Sequence, residues 1–418
     1  MIKQSLHKNY SRVVNILIFI FPIVVISLQV VGDIVLVILA MMGIFIAISQ
    51  KLSPFKIKEI KVFSYLGTGY FIAICLSVIF SGQPLELAHY IPRDFYFLFA
   101  PFIALIFFKA EININYLIVG VKVSLLVLGM IVIGQMLSGS DLSHRPSGLM
   151  NAIIFGNLSV SLFFTALIFS QNESFKNRTL TVLSLFSGLF IIIASGSRGA
   201  WLSFLCMLGF YLYFGYKKKA LLQIKHKFFI VIIIACLVSF GATNQFIKER
   251  LYSIYEVTVS TILGVKTPGN APSSSSSGMR FEMYSKAIIN IEEVPFFGYG
   301  LRTSNISLFK NDSSSLGRII VGYNHLHNAY LTNYYNGGIL LLVALLFLLF
   351  LPLRIFLKAR SHNHENPVFI AGALLTLGYA SFGMVNILFG DTYMNGFYVF
   401  FLAIFLLLTN KSIKTPEA

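Results

Sequence analysis

Residues 324–338 read NHLHNAYLTNYYNGG, with His325 and His327 two apart, Asn328 directly after, and an apolar run that continues to residue 352. An imidazole titrates near neutrality and can take or release a proton, so rings at the mouth of a hydrophobic segment suit acid–base work. They equally suit a polar anchor at an interface. Single arginines recur in short turns elsewhere: Arg93 in HYIPRDF, Arg145 in SHRPSG and Arg198 in SGSRGAW. A guanidinium forks onto oxyanions, yet a long stem beside an apolar segment also snorkels, and both readings stay open for these residues. Arg198 fits the anchor reading least. It lies in a Gly/Ser turn, where backbone can approach a ligand closely and no long stem is needed to reach the interface.

The elements that must position these groups are membrane helices. The 418 residues are 56% hydrophobic and 11% charged, with a mean hydropathy of +0.79, which excludes an ordinary water-soluble domain. Apolar runs begin near residues 13, 34, 63, 95, 116, 153, 179, 200, 228, 329, 367 and 396. Each is long enough to cross roughly 30 Å of hydrocarbon as a helix. The expected fold is therefore all-α: a polytopic membrane protein of about 12 transmembrane helices, with 1–418 forming a single integral membrane domain. The first run carries Pro22 and no small-residue cleavage site follows, so it reads as a retained span. Cys75, Cys206 and Cys236 fall inside spans and leave no disulfide framework to place.

The net charge of +16 raises the question of nucleic acid, but its distribution answers with topology. When the spans alternate, the basic clusters collect on one side: Lys3, Lys8 and Arg12; Lys51, Lys56, Lys58 and Lys61; Lys217 to Lys219, Lys225 and Lys227; Arg354, Lys358 and Arg360. By the positive-inside rule that side is cytoplasmic and both termini lie there, so no nucleic-acid partner is expected. The opposite face has one long connection, 244–327, of about eighty residues, far beyond ordinary loop length. Within it APSSSSSG reads as flexible, and residues 279–294 place Phe281, Tyr284, Ala287, Ile288 and Ile291 on one face of a helix lying along the membrane surface. Lys122 is read as within snorkelling reach of the cytoplasmic end, and no span is read as carrying a buried acid, which weakens a transporter reading. His327 is placed at the start of the tenth span, with Tyr330, Leu331, Tyr334 and Gly338 on its helical face.

HNAYLTNYYNGG resembles the signature of the O-antigen ligase and polymerase superfamily, in which His is followed by a polar residue, nine further residues and Gly. Here these are His327, Asn328, Ala329 to Gly337, and Gly338. SGSRGAWLSF is similar to the arginine turn of that family, SGMRFEMYSKAI to its second arginine segment, and VPFFGYGLRTSN to its Gly-rich stretch. The motif likeness covers 185–345, and the topological likeness the whole chain. Two positions depart from the pattern: Asn336 where many members have an acid, and Leu341 where many have a small residue.

The resemblance implies a GT-C-like, lipid-linked glycosyltransferase in the bacterial inner membrane, with its active site on the periplasmic side. Its donor would be a glycan on undecaprenyl diphosphate and its acceptor the lipid A–core oligosaccharide, with membrane lipids around both. An O-antigen ligase is the main expectation; an O-antigen polymerase uses the same donor, and a polysaccharide flippase or transporter is the reading from a different class. Carried onto this chain, Arg198 and Arg280 hold the diphosphate and His327 takes the acceptor proton. Arg93, Arg145, His325, Asn328 and Tyr330 are expected to contact substrate. No cofactor is expected, and no metal, since Asp33, Glu86, Asp94 and Asp141 do not cluster in the sequence.

Overall fold

The computed structural model describes residues 2–81, 85–138, 146–170, 175–216, 276–362 and 366–414. The span expected from residue 228, Arg145 and residues 271–275 of the serine stretch lie outside the described residues. Every regular element among the described residues is helical, and the chain is an all-α polytopic membrane protein. Its helices are α1 (Ile2–Ser27), α2 (Gln29–Ser49), α3 (Lys61–Phe80), α4 (Phe95–Lys109), α5 (Ile114–Leu137), α6 (Ala152–Ile168), α7 (Phe175–Ala194) and α8 (Arg198–Tyr216). After them come α9 (Ser276–Ile289), α10 (Ser304–Phe309), α11 (Ser315–Val321), α12 (Ala329–His362), α13 (Pro367–Gly383) and α14 (Thr392–Lys414). Among the described residues eight segments are long and apolar enough to cross a membrane; α6 and α13 are shorter apolar helices, each of 17 residues.

Starts are set by short polar side chains that accept otherwise orphaned N–H groups. Asn113 caps α5 through Asn115 N, Asn151 caps α6 through Ile153 N, and Asn366 caps α13 through Val368 N. Lipid tails provide no hydrophobic drive between helices, so close packing carries the association. A Cβ added at Gly43 would lie 2.0 Å from the Phe102 carbonyl oxygen, and one at Gly120 would lie 2.3 Å from that of Phe19. Thus α2 meets α4, and α1 meets α5, backbone to backbone. The central helix is α14, 83% of whose span is buried.

Two details differ from the sequence expectation. Lys122 is only 2% exposed and sits inside the α5 packing, and the acid Asp94 is 4% exposed where α4 begins. Composition alone does not show which face of a helix is turned inward.

Consecutive helices run up and down, so the ends of α7 and α13 and the starts of α6, α8, α12 and α14 share one side. That side carries a small cap, α9 to α11, with its own core of Met283, Ala287, Phe309, Ile320, Leu326 and Tyr335. The cap helix α9 is seated by Met283 and Ala287, while Phe281 and Ile288 are 60% and 61% exposed. The apolar residues expected on a single face are therefore divided between two faces.

The long helix α12 is interrupted. Gly337 (φ −132°) and Gly338 (φ 64°, ψ −162°) leave helical geometry, and this frees carbonyls that the cap loop uses. Tyr299 N donates to Tyr335 O and Gly300 N to Asn336 O, both at 2.8 Å. Ser77 Oγ on α3 also donates to Asn336 O, at 2.7 Å. A Cβ at Gly338 would stand 1.8 Å from the Phe296 carbonyl oxygen. Gly338→Ala should therefore lower thermal stability in detergent, by about 1–3 kcal/mol from the left-handed backbone alone, and remove activity by displacing the cap loop. Unfolding curves and turnover of the purified variant check this.

Candidate functional site

His327 does not lie on a helix. It occupies left-handed backbone, φ 51°, and Asn328 is the N-cap of α12, its Oδ1 accepting from Tyr330 N and Leu331 N at 3.0 Å. The expected helical face linking His327 to Tyr330, Leu331, Tyr334 and Gly338 therefore does not form. The cap holds the turn in place instead. Asn305 Nδ2 donates to the carbonyls of Tyr323 and His325 at 2.9 and 3.0 Å, Leu326 N donates to Thr332 Oγ1 at 3.1 Å, and the Tyr284 hydroxyl donates to His327 O at 2.8 Å.

Arg280 lies one helical turn before Tyr284 on α9, so the helix whose tyrosine fixes the histidine backbone also delivers a guanidinium. Ser197 Oγ accepts from Ala200 N at 3.3 Å and starts α8, which puts Arg198 in its first turn. Arg198, Arg280 and His327 line one cavity of about 200 Å³, together with Ser197, Gly199 and Tyr323. The three come from separate regions of the chain. Among the described residues the lining contains two guanidiniums, the positive end of a helix and no carboxylate, a combination that attracts an anion. Arg280 Nε is buried without a hydrogen-bond partner among the described residues, and burial lowers the pKa of this arginine.

His325 packs on His327, ring centroids 4.4 Å apart, and the Asn386 side chain lies within hydrogen-bonding reach of both. His327 Nδ1 and His325 Nε2 are buried and have no hydrogen-bond partner among the described residues. An imidazolium would leave one N–H per ring unsatisfied, so both rings are held neutral. Burial first, then His325 and Arg280, lower His327 to about 3; burial first, then Arg302, lower His325 to about 4.

The remaining expected contacts are distributed differently. Tyr330 is turned to α13, its hydroxyl donating to Ala380 O at 2.8 Å, and Asn328 is used in capping; neither lines the cavity. Arg93 belongs to a neighbouring charged group with Asp94, Asp391 and Arg302. It lies 5.1 Å from the Tyr90 ring centroid. Sequence reasoning missed Arg302 and Asn386. Arg302 sits in GYGLRTSN, a stretch read only for its glycines; its guanidinium stacks 4.0 Å from the Tyr90 centroid, and Nη2 donates to Gly390 O at 3.1 Å. Asn386 carries no local signal, because only the fold brings it to the histidines. Among the described residues no three His, Cys, Asp or Glu side chains group as a metal site would require.

Comparison with known proteins agrees with the geometry at the level of family. Residues 183–346 match the family model described as O-antigen ligase. The chain is also 24% identical over 368 residues to an uncharacterized protein of Haemophilus influenzae, covering 86% of this chain and 88% of that one.

The neutral histidines make stability depend on pH in a defined direction. Their folded pKa values lie below the ordinary 6.5, so between 6.5 and about 3 the unfolded chain binds more protons, down to about 4 on account of His325 and to about 3 on account of His327. The stabilisation is complete above that window and is lost as pH falls through it. Thermal unfolding should show a drop from pH 7.5 to pH 5 that is smaller in a variant carrying both His325→Gln and His327→Gln. An equal drop in both proteins would mean the rings are not held neutral.

Proposed function

We propose that this chain is an O-antigen ligase, transferring a glycan from undecaprenyl diphosphate to a hydroxyl of the lipid A–core oligosaccharide at the periplasmic face of the bacterial inner membrane. The observation that carries the reading is the single cavity in which two arginines and a helix start face a neutral histidine. Orientation follows from the basic residues, since Lys51, Lys56, Lys58 and Lys61 join α2 to α3 on the side opposite the cavity.

In the proposed reaction the acceptor oxygen attacks the anomeric carbon of the donor sugar. His327 takes the hydroxyl proton as the new carbon–oxygen bond forms, and the bond to the diphosphate breaks with its electron pair leaving on the phosphate oxygen. Arg198 and Arg280 hold that developing charge with forked hydrogen bonds, the kind of fixed stabilisation that acts in the transition state without reorganisation. Asn386 and His325 orient the base, and Tyr284 fixes its backbone. The donor is recognised through lipid and diphosphate, so cationic side chains do the work at the leaving group.

His327→Ala should slow transfer by about a hundred- to ten-thousandfold, the usual contribution of general-base assistance. Donor binding should persist, because the arginines make the phosphate contacts. Purified protein with a synthetic lipid-linked donor separates the two, and loss of binding with intact chemistry would reverse the assignment. Arg280→Lys should also impair turnover, since a point charge does not reproduce the fork. The lipopolysaccharide profile of a deletion strain tests the acceptor: a ligase mutant loses all O-antigen from the core, whereas retention of one repeat would make the chain a polymerase.

A further inference from the structure

The tyrosines of the cap and of the first segment of α12 share one habit, which is to commit the hydroxyl to a backbone carbonyl. Tyr284 donates to His327 O, Tyr299 to Glu293 O, Tyr330 to Ala380 O, Tyr334 to Ile291 O and Tyr335 to Ala287 O. Tyr323 departs from it: among the described residues its hydroxyl has no hydrogen-bond partner. Its backbone is nonetheless fixed on both sides, since Tyr323 N donates to Ile320 O at 2.9 Å in the turn after α11 and its carbonyl accepts from Asn305 Nδ2 at 2.9 Å. The ring it carries stays 37% exposed. The residue is therefore placed by its main chain, and no anchoring hydroxyl accounts for the ring.

On an outer surface one exposed tyrosine would mean little. Tyr323 instead walls the cavity of Arg198, Arg280 and His327, facing a lining that is otherwise aliphatic, thioether or polar, with Met279 and Met283 contributed by α9. Its ring meets His327 edge-on, with centroids 5.6 Å apart and planes at 64°. In the proposed reaction the carbon under attack is bonded to the diphosphate and comes within reach of the imidazole, so the sugar bearing it must lie between the guanidiniums and His327. That space is the one Tyr323 borders. A pyranose turns C–H groups outward on its faces and hydroxyls around its rim, and a tyrosine offers the matching apolar ring with a polar tip.

We infer that Tyr323 is the platform for the first sugar of the lipid-linked donor, its ring stacked on a C–H face of the pyranose while Arg198 and Arg280 hold the diphosphate. The donor's sugar is favoured over the acceptor's because it is covalently tied to the group the guanidiniums bind in this same cavity. One ring stacks on one ring, so the contact senses the first sugar and no more of the glycan. The inference rests on the transferase reading above. It adds a sugar contact to a site described so far through lipid and diphosphate.

The test titrates full-length protein in nanodiscs with two lipids, undecaprenyl diphosphate and the same lipid carrying one N-acetylglucosamine, and reads binding by calorimetry without turnover. Tyr323→Leu should weaken the sugar-bearing lipid by roughly three- to tenfold, the worth of one aromatic stack, and leave the bare diphosphate lipid unchanged. Tyr323→Phe and Tyr323→Trp keep a ring and should stay within about twofold of the wild type, which also guards against a folding defect in the first variant. An equal loss for both lipids would mean that Tyr323 only shapes the phosphate cavity, and no loss for either would mean that it touches no sugar; each overturns the inference, as would Tyr323→Phe failing like Tyr323→Leu. In transfer to purified lipid A–core, Tyr323→Leu should raise the donor KM and not the acceptor KM. The reverse would put the ring under the acceptor and overturn the inference too. A sugar-specific loss in a protein that transfers nothing would sink the transferase reading and leave the platform standing, whereas normal transfer without that loss would sink the platform alone.

Discussion

The interruption of α12 at Gly337 and Gly338 is the constraint on which the site depends. A continuous helix would keep the carbonyls of Tyr335 and Asn336 within its own ladder. Broken there, it offers them to Tyr299 N and Gly300 N, and Asn336 Oδ1 also accepts from Ser304 N at 3.3 Å. That seam docks the segment leading to Arg302 and α10, and α10 contributes Asn305, which gathers the carbonyls of residues 320, 323 and 325. The histidine turn is therefore shaped from outside its own sequence, by a loop that only a glycine at 338 can admit.

The electrostatic design follows from that geometry. Two arginines from separate elements meet a buried histidine, and in the proposed reaction the arrangement would serve two needs at once. The cations would attract a phosphate-bearing substrate, and they disfavour a proton on the imidazole beside them. Burial adds to the second effect and, by excluding water, strengthens the first. Arg302 extends the same field to His325 from the other side. It is held over Tyr90 in left-handed backbone, φ 60°.

Much of this was legible in the sequence. Apolar runs placed the helices because spanning hydrocarbon imposes a length, and the Gly/Ser turn singled out Arg198 because few other roles suit an arginine there. Spacing alone paired His327 with Asn328, although it assigned the wrong local structure: His-Asn at the head of an apolar run looks like a first helical turn, whereas the asparagine is the cap and the histidine precedes it. Gly338 was placed on a continuous helical face, since nothing local distinguishes a glycine within a helix from one at a helix break. The face of α9 was misjudged because apolar residues occur on both sides of it. Arg302, Asn386 and the buried Asp94 were missed for a shared reason: their surroundings are assembled from distant segments, and no periodicity records which groups will face one another.

The central claim is that transfer is driven by a histidine kept neutral beside two phosphate-holding arginines. The pH dependence of single-turnover transfer tests it most directly, using purified protein with donor prebound and acceptor in excess. The account predicts a rate that stays level as pH falls through 6.5 and declines only toward pH 4, matching the depressed value of His327. An acid limb centred near 6.5, the ordinary histidine value, would contradict it.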